Sequence, residues 1–178
     1  MKLSTYDLGK KQEIKKLFTT VFSDSEGEAE GLLIGDLVLD LINTTAPQDL
    51  YGFVALDGGK IIGSIFFSRL KFEKQINAFL LSPVAVHTQF HGQGIGQKLI
   101  NFGISHLKEQ NVELIFTYGD PNFYAKVGFQ PVLEDVIKAP LALTFPEGWL
   151  GQSLVGDEIP AIAGNSTCVA ALNNPKYW

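Results

Sequence analysis

The chain has 178 residues and a mass of 19.5 kDa, a length that fits one domain. Apolar residues make up 46% and charged residues 19%, which excludes intrinsic disorder because there is enough apolar surface to form a core. The net charge is −5 and Arg69 is the only arginine, so the composition disfavours a nucleic-acid partner and favours a cationic or amine-bearing one.

Cysteine usage and hydropathy set further limits. Cys168 is the only cysteine, which excludes an intrachain disulfide and a cysteine-based zinc site. No histidines and carboxylates stand at metal-ligand spacing, so we expect no metal. Residues 1–11 lack the apolar segment of a secretory signal, and the longest apolar stretch, 31–42, is too short for a membrane span. We therefore expect a cytoplasmic protein without a membrane partner.

The first part of the chain predicts one strand and two helices. Residues 1–6 fit a short edge strand. Residues 10–22 predict an amphipathic helix, because apolar side chains recur there at helical spacing: Ile14, Leu17, Phe18 and Val21. An acidic run over 24–30 precedes a second helix with a wide apolar stripe, and Ser23 or Ser25 is its expected N-cap.

The periodicity then changes to that of β-strands. Residues 51–56 and 61–70 predict two strands, joined by an Asp-Gly-Gly-Lys hairpin turn at 57–60. A third long strand is expected over 72–86, in which a Ser-Pro pair marks a bulge or the end of pairing. Three consecutive antiparallel strands are the simplest arrangement.

The second part of the chain predicts alternating helices and strands. A helix is expected over 98–109 and an apolar strand over 112–118. A short helix over 121–126 follows, with Asp120 as its cap. From residue 128 onward, prolines and glycines predict short strands and loops.

A glycine-rich turn before a helix is the most informative segment. Gly92, Gly94 and Gly96 alternate there, and glycines let backbone N–H groups point into one concavity. Because a helix N-terminus adds partial positive charge, the pattern favours a diphosphate site over a plain tight turn. Gln97 stands where the third glycine of a dinucleotide fingerprint belongs, and no Gly-Lys-Ser/Thr sequence follows, so the Rossmann and P-loop motifs are excluded.

Two motifs in this part of the chain resemble a known family. Residues 84–100 read V-A-V-H-x-x-F-H-G-Q-G-I-G-Q-x-L-I, which resembles the acetyl-CoA-binding motif Q/R-x-x-G-x-G/A of the GNAT superfamily of acyl-CoA-dependent N-acyltransferases. Residues 123–129, F-Y-A-K-V-G-F, resemble the family's Y-x-K-x-G-F segment, and G-D-P-N-F-Y before it resembles the YhbS-like branch. The similarity covers roughly 17–156 and is strongest over 81–131. His91 departs from the pattern, which has Gln or Arg at that position.

The resemblance implies the fold and the donor. The fold would be α/β, a single GNAT domain over 1–178 with a mixed, mainly antiparallel sheet of six to seven strands and about four flanking helices. The donor would be acetyl-CoA. The backbone of Val84, Ala85 and Val86 would bind the pantetheine arm and polarise the thioester carbonyl. The diphosphate would lie on the glycine loop and the first helical turn, formed by His91, Gly92, Gln93, Gly94, Ile95, Gly96 and Gln97.

The resemblance also implies a proton donor. Tyr124 matches the family tyrosine that protonates the leaving thiolate, and the alternative is a core aromatic. A base must take the proton of the amine, and the candidates are Asp120, His87, His91 and the acids of 26–30, directly or through water. Asp120 is better explained as a helix cap.

The implied activity is direct transfer of an acetyl group to the amine of a small molecule or to an exposed amino group, with no covalent enzyme intermediate. The alternative is a non-catalytic acyl-CoA-binding or sensing domain of the same fold. An acyl carrier protein is disfavoured as donor by the net charge of −5. The sequence specifies neither the acceptor, the acyl-chain preference nor a choice between monomer and homodimer.

Overall fold

The computed structural model describes the whole chain, from Met1 to Trp178. Its helices and strands are, in chain order, β1 (Lys2–Thr5), α1 (Lys11–Glu26), α2 (Glu28–Thr44), β2 (Leu50–Asp57), β3 (Lys60–Phe72), β4 (Ala78–Val86), α3 (Ile95–Glu109), β5 (Leu114–Tyr118), α4 (Pro121–Tyr124), β6 (Gln130–Pro131), β7 (Trp149–Ser153) and β8 (Ser166–Thr167). None of the helices combines the length and the apolar character that a membrane crossing needs.

The strands form one mixed sheet in the order β1-β2-β3-β4-β5-β7-β6, with β8 paired to β3. The pairs β1–β2, β5–β7, β6–β7 and β3–β8 are antiparallel, and β4–β5 is parallel. The predicted α/β class, the mixed sheet, the four helices and the edge position of the first strand are confirmed. The sheet has one strand more than the six to seven expected, since β6 and β8 contain only two residues each and carry no detectable periodicity.

Contacts divide the chain into two compact units. Unit 1 comprises Met1–Phe66 and Pro83–Gly103, and unit 2 comprises Phe67–Ser82 and Ile104–Trp178. Each unit has its own buried residues.

In unit 1, the helices α1 and α2 pack closely against each other. The four apolar residues predicted to face the core from α1 are all buried. A β-carbon built on Gly31 of α2 would lie only 2.5 Å from the carbonyl oxygen of Thr19 in α1. One built on Gly35 would overlap the Thr19 hydroxyl. The two glycines therefore let the backbones of the helices approach each other.

The junction between these helices corrects one prediction. The N-cap of α2 is Gly27, with a φ of 101°, and no side chain caps the helix. Ser23 and Ser25 lie inside α1, which continues to Glu26, so the expected serine cap was wrong. The acidic residues of the first turn, Glu28 and Glu30, face the positive end of the helix dipole as expected.

The β2–β3 hairpin turns as its sequence predicts. Gly58 and Gly59 have φ values of 53° and 81°, the left-handed pair that a type I′ turn requires. The strand expected over 72–86 began too early, because β3 itself extends to Phe72 and β4 begins at Ala78. The intervening Asn77 N–H donates to Glu113 Oε2 at 2.8 Å, and the Asn77 carbonyl accepts from Glu113 N at 2.8 Å. These bonds hold the segment as a loop.

In unit 2, β4 and β5 pair in parallel over a short register. The pairs run from Ala78↔Leu114 to Leu81↔Thr117. The register thus ends just before the Ser-Pro pair, as expected, although β4 itself continues to Val86. Beside it, Phe116 stacks on Trp149 with ring centroids 5.2 Å apart, and Trp149 Nε1 donates to the Ile137 carbonyl at 3.0 Å.

Candidate active site

The end of β4 in unit 1 presents two half-exposed residues around a buried one. Ala85 is buried, and Val84 and Val86 are half-buried. The Ala85 carbonyl lies 3.5 Å from a β-carbon built on Gly63 of β3, and the next odd-numbered residue, His87, donates its N–H to Ile62 of β3 at 2.7 Å. Because backbone groups of successive residues in a strand point to opposite edges, those of Val84 and Val86 point away from β3.

The His91 side chain occupies one of these backbone groups. Its Nε2 lies 2.6 Å from the Val86 carbonyl oxygen. Since a carbonyl oxygen only accepts, Nε2 carries the hydrogen. This bond closes the turn that follows β4.

The turn after β4 is tied to its surroundings in two further places. His87 caps the short turn at Thr88–Phe90, and its Nδ1 accepts from Gln89 N at 3.3 Å. The Thr88 hydroxyl donates to the Asp24 carboxylate, near the end of α1, at 2.7 Å. Both contacts position the loop before its glycines.

Two of the three motif glycines have left-handed backbone conformations. Gly92 has a φ of 77° and Gly94 a φ of 73°. No atom lies within 4 Å of a β-carbon built on either residue, so both face open space. Gly96 instead is buried in the first turn of α3. The loop thus forms a concavity lined by backbone.

The N-terminus of α3 opens directly from this loop. Lys98 N donates to the Gly94 carbonyl at 3.1 Å, which places Gly94 at the N-cap position. The helix therefore begins at Ile95, three residues earlier than predicted. The N–H groups of Ile95, Gly96 and Gln97 have no acceptor within the helix. Free amides and the positive end of the helix dipole together suit an anion such as a diphosphate.

Tyr124 lies in unit 2, at the end of α4. Its ring packs on Gly119, where an added β-carbon would lie 2.7 Å from Cε2. The rings of Phe123 and Phe129 meet it edge-on, with centroid distances of 5.0 Å and 5.7 Å. Asp120 caps α4 as predicted, accepting from Asn122 N at 2.9 Å. The hydroxyl is thereby held on a short, capped helix between aromatic side chains.

The environment of Tyr124 favours its neutral form. Burial raises the pKa of the Tyr124 hydroxyl above its ordinary value, the Thr117 side chain partly offsets this by hydrogen bonding, and the Asp120 carboxylate raises the pKa further. A phenol in this setting is protonated at neutral pH and has a proton to donate.

The base candidates have different local partners. The Asp120 carboxylate and the two histidines, His87 and His91, each hydrogen-bond to the backbone of their own turn. Glu26 and Glu28 are exposed at the α1–α2 junction. No group of three His, Cys, Asp or Glu side chains converges as a metal site would require.

Sequence reasoning missed two features of unit 2. The first is Thr117, a buried polar residue whose hydroxyl donates to the Leu81 carbonyl at 2.8 Å and which carries no motif signal. The second is a cavity of about 270 Å³ at the end of β5, lined by Tyr118, Gly119, Pro121, Phe145, Glu147 and Gly148. Its walls come from segments nearly thirty residues apart, so no local pattern marks it.

Comparison with known proteins finds the same family that the two sequence motifs resemble. Residues 48–131 match the family model of the acetyltransferase (GNAT) domain. YjhQ of Escherichia coli K12, named an N-acetyltransferase, is 29% identical over 140 residues, which cover 75% of this chain and 76% of YjhQ. YhbS of the same strain, also named an N-acetyltransferase, is 32% identical over 107 residues, which cover 59% of this chain and 60% of YhbS.

Solved structures match nearly the whole fold. The crystal structure of YhbS from Escherichia coli in complex with CoA has a TM-score of 0.84 and 22% identity, covering 98% of this chain and 92% of that one. A GNAT family acetyltransferase from Brucella melitensis in complex with acetyl-CoA has a TM-score of 0.75 and 21% identity, covering 97% of both chains. At these identities the structural matches establish the fold.

Proposed function

We propose that this chain, of which residues 48–131 match the family model of the acetyltransferase (GNAT) domain, is a member of that family and transfers an acetyl group from acetyl-CoA directly to a primary amine. The observation that carries the proposal is the pair of left-handed glycines, Gly92 and Gly94, which face open space at the N-terminus of α3. A pantetheine-linked diphosphate is the ligand that this loop would take in the family.

Binding of the donor uses backbone groups in two places. The diphosphate lies on the first-turn amides of Ile95, Gly96 and Gln97, where the helix dipole adds to the attraction. The pantetheine arm forms hydrogen bonds with the backbone N–H and C=O groups of Val84 and Val86 that point away from β3. Because His91 occupies the Val86 carbonyl, the Val84 carbonyl and the N–H groups of both valines are the groups left for the arm.

The chemical step is nucleophilic attack without a covalent enzyme intermediate. The amine nitrogen bonds to the thioester carbonyl carbon, and the carbon–sulfur bond breaks. A backbone N–H on β4 stabilises the oxyanion that develops on the carbonyl oxygen. The leaving thiolate takes the proton of Tyr124, and the amine gives up its proton to a base or to water. The proton taken from the amine then passes from that base or water to the Tyr124 phenolate, which returns Tyr124 to its neutral form.

The cavity at the end of β5 supports a small amine as acceptor. It is mainly apolar, with the Phe145 ring and two glycines in its walls, and Glu147 contributes a carboxylate. A small amine with an apolar part fits this combination, because the carboxylate attracts the ammonium charge and the aromatic side chain packs against the apolar part.

The donor site is tested with Gly94→Val. A β-branched residue strains a backbone held at φ 73° and fills the open space of the loop. We expect CoA affinity to fall by at least about 100-fold by isothermal titration calorimetry. Gly58→Val is the matched control, because Gly58 is also left-handed and faces open space, but in the β2–β3 turn. Wild-type CoA affinity in a folded Gly94→Val protein would reject the diphosphate assignment.

Turnover separates the enzyme from a binding domain of the same fold. CoA release from acetyl-CoA is measured with a panel of primary amines. Amine-dependent release supports the transferase. CoA binding with no release for any amine would favour the non-catalytic alternative.

A further inference from the structure

We propose that Tyr118 and Trp178 are positioning residues for the acceptor amine: together they hold the 144–148 segment, which supplies part of the wall of the cavity at the end of β5. The inference rests on the proposed use of this cavity by the acceptor. It adds to the site a residue far along the chain, Trp178, which no motif marks.

The wall of the cavity comes from two parts of the chain. One part is the end of β5 and the start of α4, and the other is the 144–148 segment. Phe145, Pro146 and Glu147 are exposed, so burial of their side chains contributes little to holding this segment in place. Its position therefore depends on hydrogen bonds to neighbouring residues.

Two hydrogen bonds join the 144–148 segment to the end of β5. The Phe145 N–H donates to the Tyr118 hydroxyl oxygen at 2.7 Å. The Gly119 N–H donates to the Gly148 carbonyl at 3.0 Å. A β-carbon built on Gly148 would lie 3.1 Å from Cε1 of Tyr118, so the segment also packs directly against this ring. The Tyr118 side chain thus contacts the segment near both of its ends.

Trp178 contacts both Tyr118 and the first residue of the segment. Its ring stacks on the Tyr118 ring, with centroids 6.0 Å apart and planes 15° from parallel. Its carbonyl accepts from the Thr144 hydroxyl at 2.7 Å. The indole is 7% exposed and donates its Nε1–H to the Leu172 carbonyl at 2.9 Å. Trp178 is therefore fixed in place and holds the Tyr118 ring and Thr144 relative to each other.

This arrangement makes part of the cavity wall depend on two hydroxyl groups, those of Tyr118 and Thr144. Removing either hydroxyl keeps the ring packing but loosens the segment, and with it the Glu147 carboxylate that would attract the ammonium group. A loosened segment weakens amine binding because it must be ordered again when the amine binds. Donor binding uses the backbone of β4 and of the loop before α3, so it should not change.

The first test needs no ligand. Amide hydrogen exchange followed by NMR gives the rate at Phe145, which Tyr118→Phe should raise about three- to tenfold, the equivalent of one neutral hydrogen bond. The Val132 N–H, bonded to the Trp149 carbonyl at 2.9 Å, should keep its rate. Tyr6→Phe is the matched control variant, because Tyr6 lines no part of the cavity. An unchanged Phe145 rate in folded Tyr118→Phe overturns the proposal.

The second test measures binding of 2-phenylethylamine, a primary amine with an apolar part. Its affinity, from the NMR shifts of the Gly119 and Gly148 amides, should fall about three- to tenfold in Tyr118→Phe and in Thr144→Val. Thr144→Ser should restore it, because serine keeps the hydroxyl that donates to Trp178. CoA affinity by calorimetry should match that of the wild type in all three variants. Thr144→Ala replaces Thr144→Val if the valine protein does not fold.

Three results of the binding test overturn the proposal. The first is unchanged amine affinity in folded Tyr118→Phe and Thr144→Val proteins. The second is an equal loss of amine and CoA affinity, which would indicate a general loss of structure. The third is the absence of amine-dependent shifts in the wild type, which would reject the cavity as the acceptor site.

Turnover separates this inference from the proposed function. With an acceptor found in the amine panel, Tyr118→Phe should raise KM for the amine and leave KM for acetyl-CoA unchanged. Release of CoA with an unchanged KM for the amine would refute the positioning role and leave the proposed function standing. A wild-type protein that binds 2-phenylethylamine but releases no CoA with any amine would reject the transferase, while the exchange and binding results still decide the role of Tyr118 and Trp178.

Discussion

At the scale of single residues, two side chains of the candidate site have different surroundings: the Tyr124 hydroxyl and the His91 imidazole. The pKa of the Tyr124 hydroxyl is raised mainly by burial. The imidazole of His91 is bonded to the Val86 carbonyl. Both residues stand at motif positions. Because their surroundings differ, we expect replacement of Tyr124 to lower kcat and replacement of His91 to change CoA affinity only slightly.

Tyr124→Phe should affect the chemical step and spare donor binding. Phenylalanine keeps the ring on Gly119 and between its aromatic neighbours but removes the proton donor. We expect kcat to fall by about 100-fold or more, with acetyl-CoA affinity nearly unchanged, since thiolate charge develops only after attack. Steady-state kinetics with an acceptor found by screening provides the measurement. A core role would produce the opposite result, a lower melting temperature with normal turnover.

His91→Ala should have a modest effect on CoA affinity. Its Nε2 donates to the Val86 carbonyl, so in the proposed complex the backbone amides of the loop, and not the imidazole, would bind the diphosphate. Calorimetry should give a loss of less than about tenfold, or ~1.4 kcal/mol. Gly94→Val provides the reference for a severe loss. A larger effect of His91→Ala would identify the imidazole as a direct ligand.

At the scale of helices and strands, glycines have two distinct roles. In the hairpin and in the loop before α3, they adopt left-handed conformations that face open space. In α2, Gly31 and Gly35 have ordinary helical conformations and are needed because α1 passes close by. The left-handed glycines can be recognised from the local sequence pattern. The glycines that make room for a neighbouring helix cannot, because their role depends on which helix packs against them.

Gly31→Ala should destabilise the protein although alanine favours helices. The gain in helix propensity is about 1 kcal/mol. The new β-carbon, however, would lie 2.5 Å from the Thr19 carbonyl oxygen, so the helices must separate. We expect a lower melting temperature by circular dichroism. Gly156→Ala is the control, since Gly156 is exposed with open space around it and should tolerate the change. Equal melting temperatures for both variants would contradict close helix packing.

At the scale of the whole molecule, three ionisable groups with raised pKa values make stability depend on alkaline pH. Burial raises the pKa of Tyr6, Tyr124 and Cys168 above their ordinary values of 10.0 for tyrosine and 9.0 for the thiol. Between each ordinary value and the raised one, the folded chain binds protons that the unfolded chain has lost. The free energy of unfolding therefore falls as the pH rises above about 9.

The melting temperature is thus expected to decline from about pH 9 upward. Tyr124→Phe and Cys168→Ala should each make this decline shallower, because each removes one group whose proton is retained on folding. Thermal unfolding followed by circular dichroism across this range measures the slopes. Slopes as steep as that of the wild type would show that these groups ionise equally in both states.

The sequence by itself determined the features that local physics controls. Left-handed glycines mark the hairpin turn and the loop before α3, and Asp120 followed by proline marks the start of α4, since in each case neighbouring residues set the conformation. The two motifs, read together, also indicated the acetyltransferase (GNAT) domain, whose family model matches residues 48–131. The acidic composition disfavours nucleic-acid partners on electrostatic grounds.

Only the tertiary structure decided features that depend on distant segments. The close approach at Gly31 depends on Thr19 of another helix, and the buried Thr117 hydroxyl is satisfied by the carbonyl of Leu81, thirty-six residues earlier. The Val86 carbonyl is occupied because the chain turns back to bring His91 within 2.6 Å. Hydrogen bonds and steric contacts act over a few ångströms, so a pairing appears only when the fold brings its partners together.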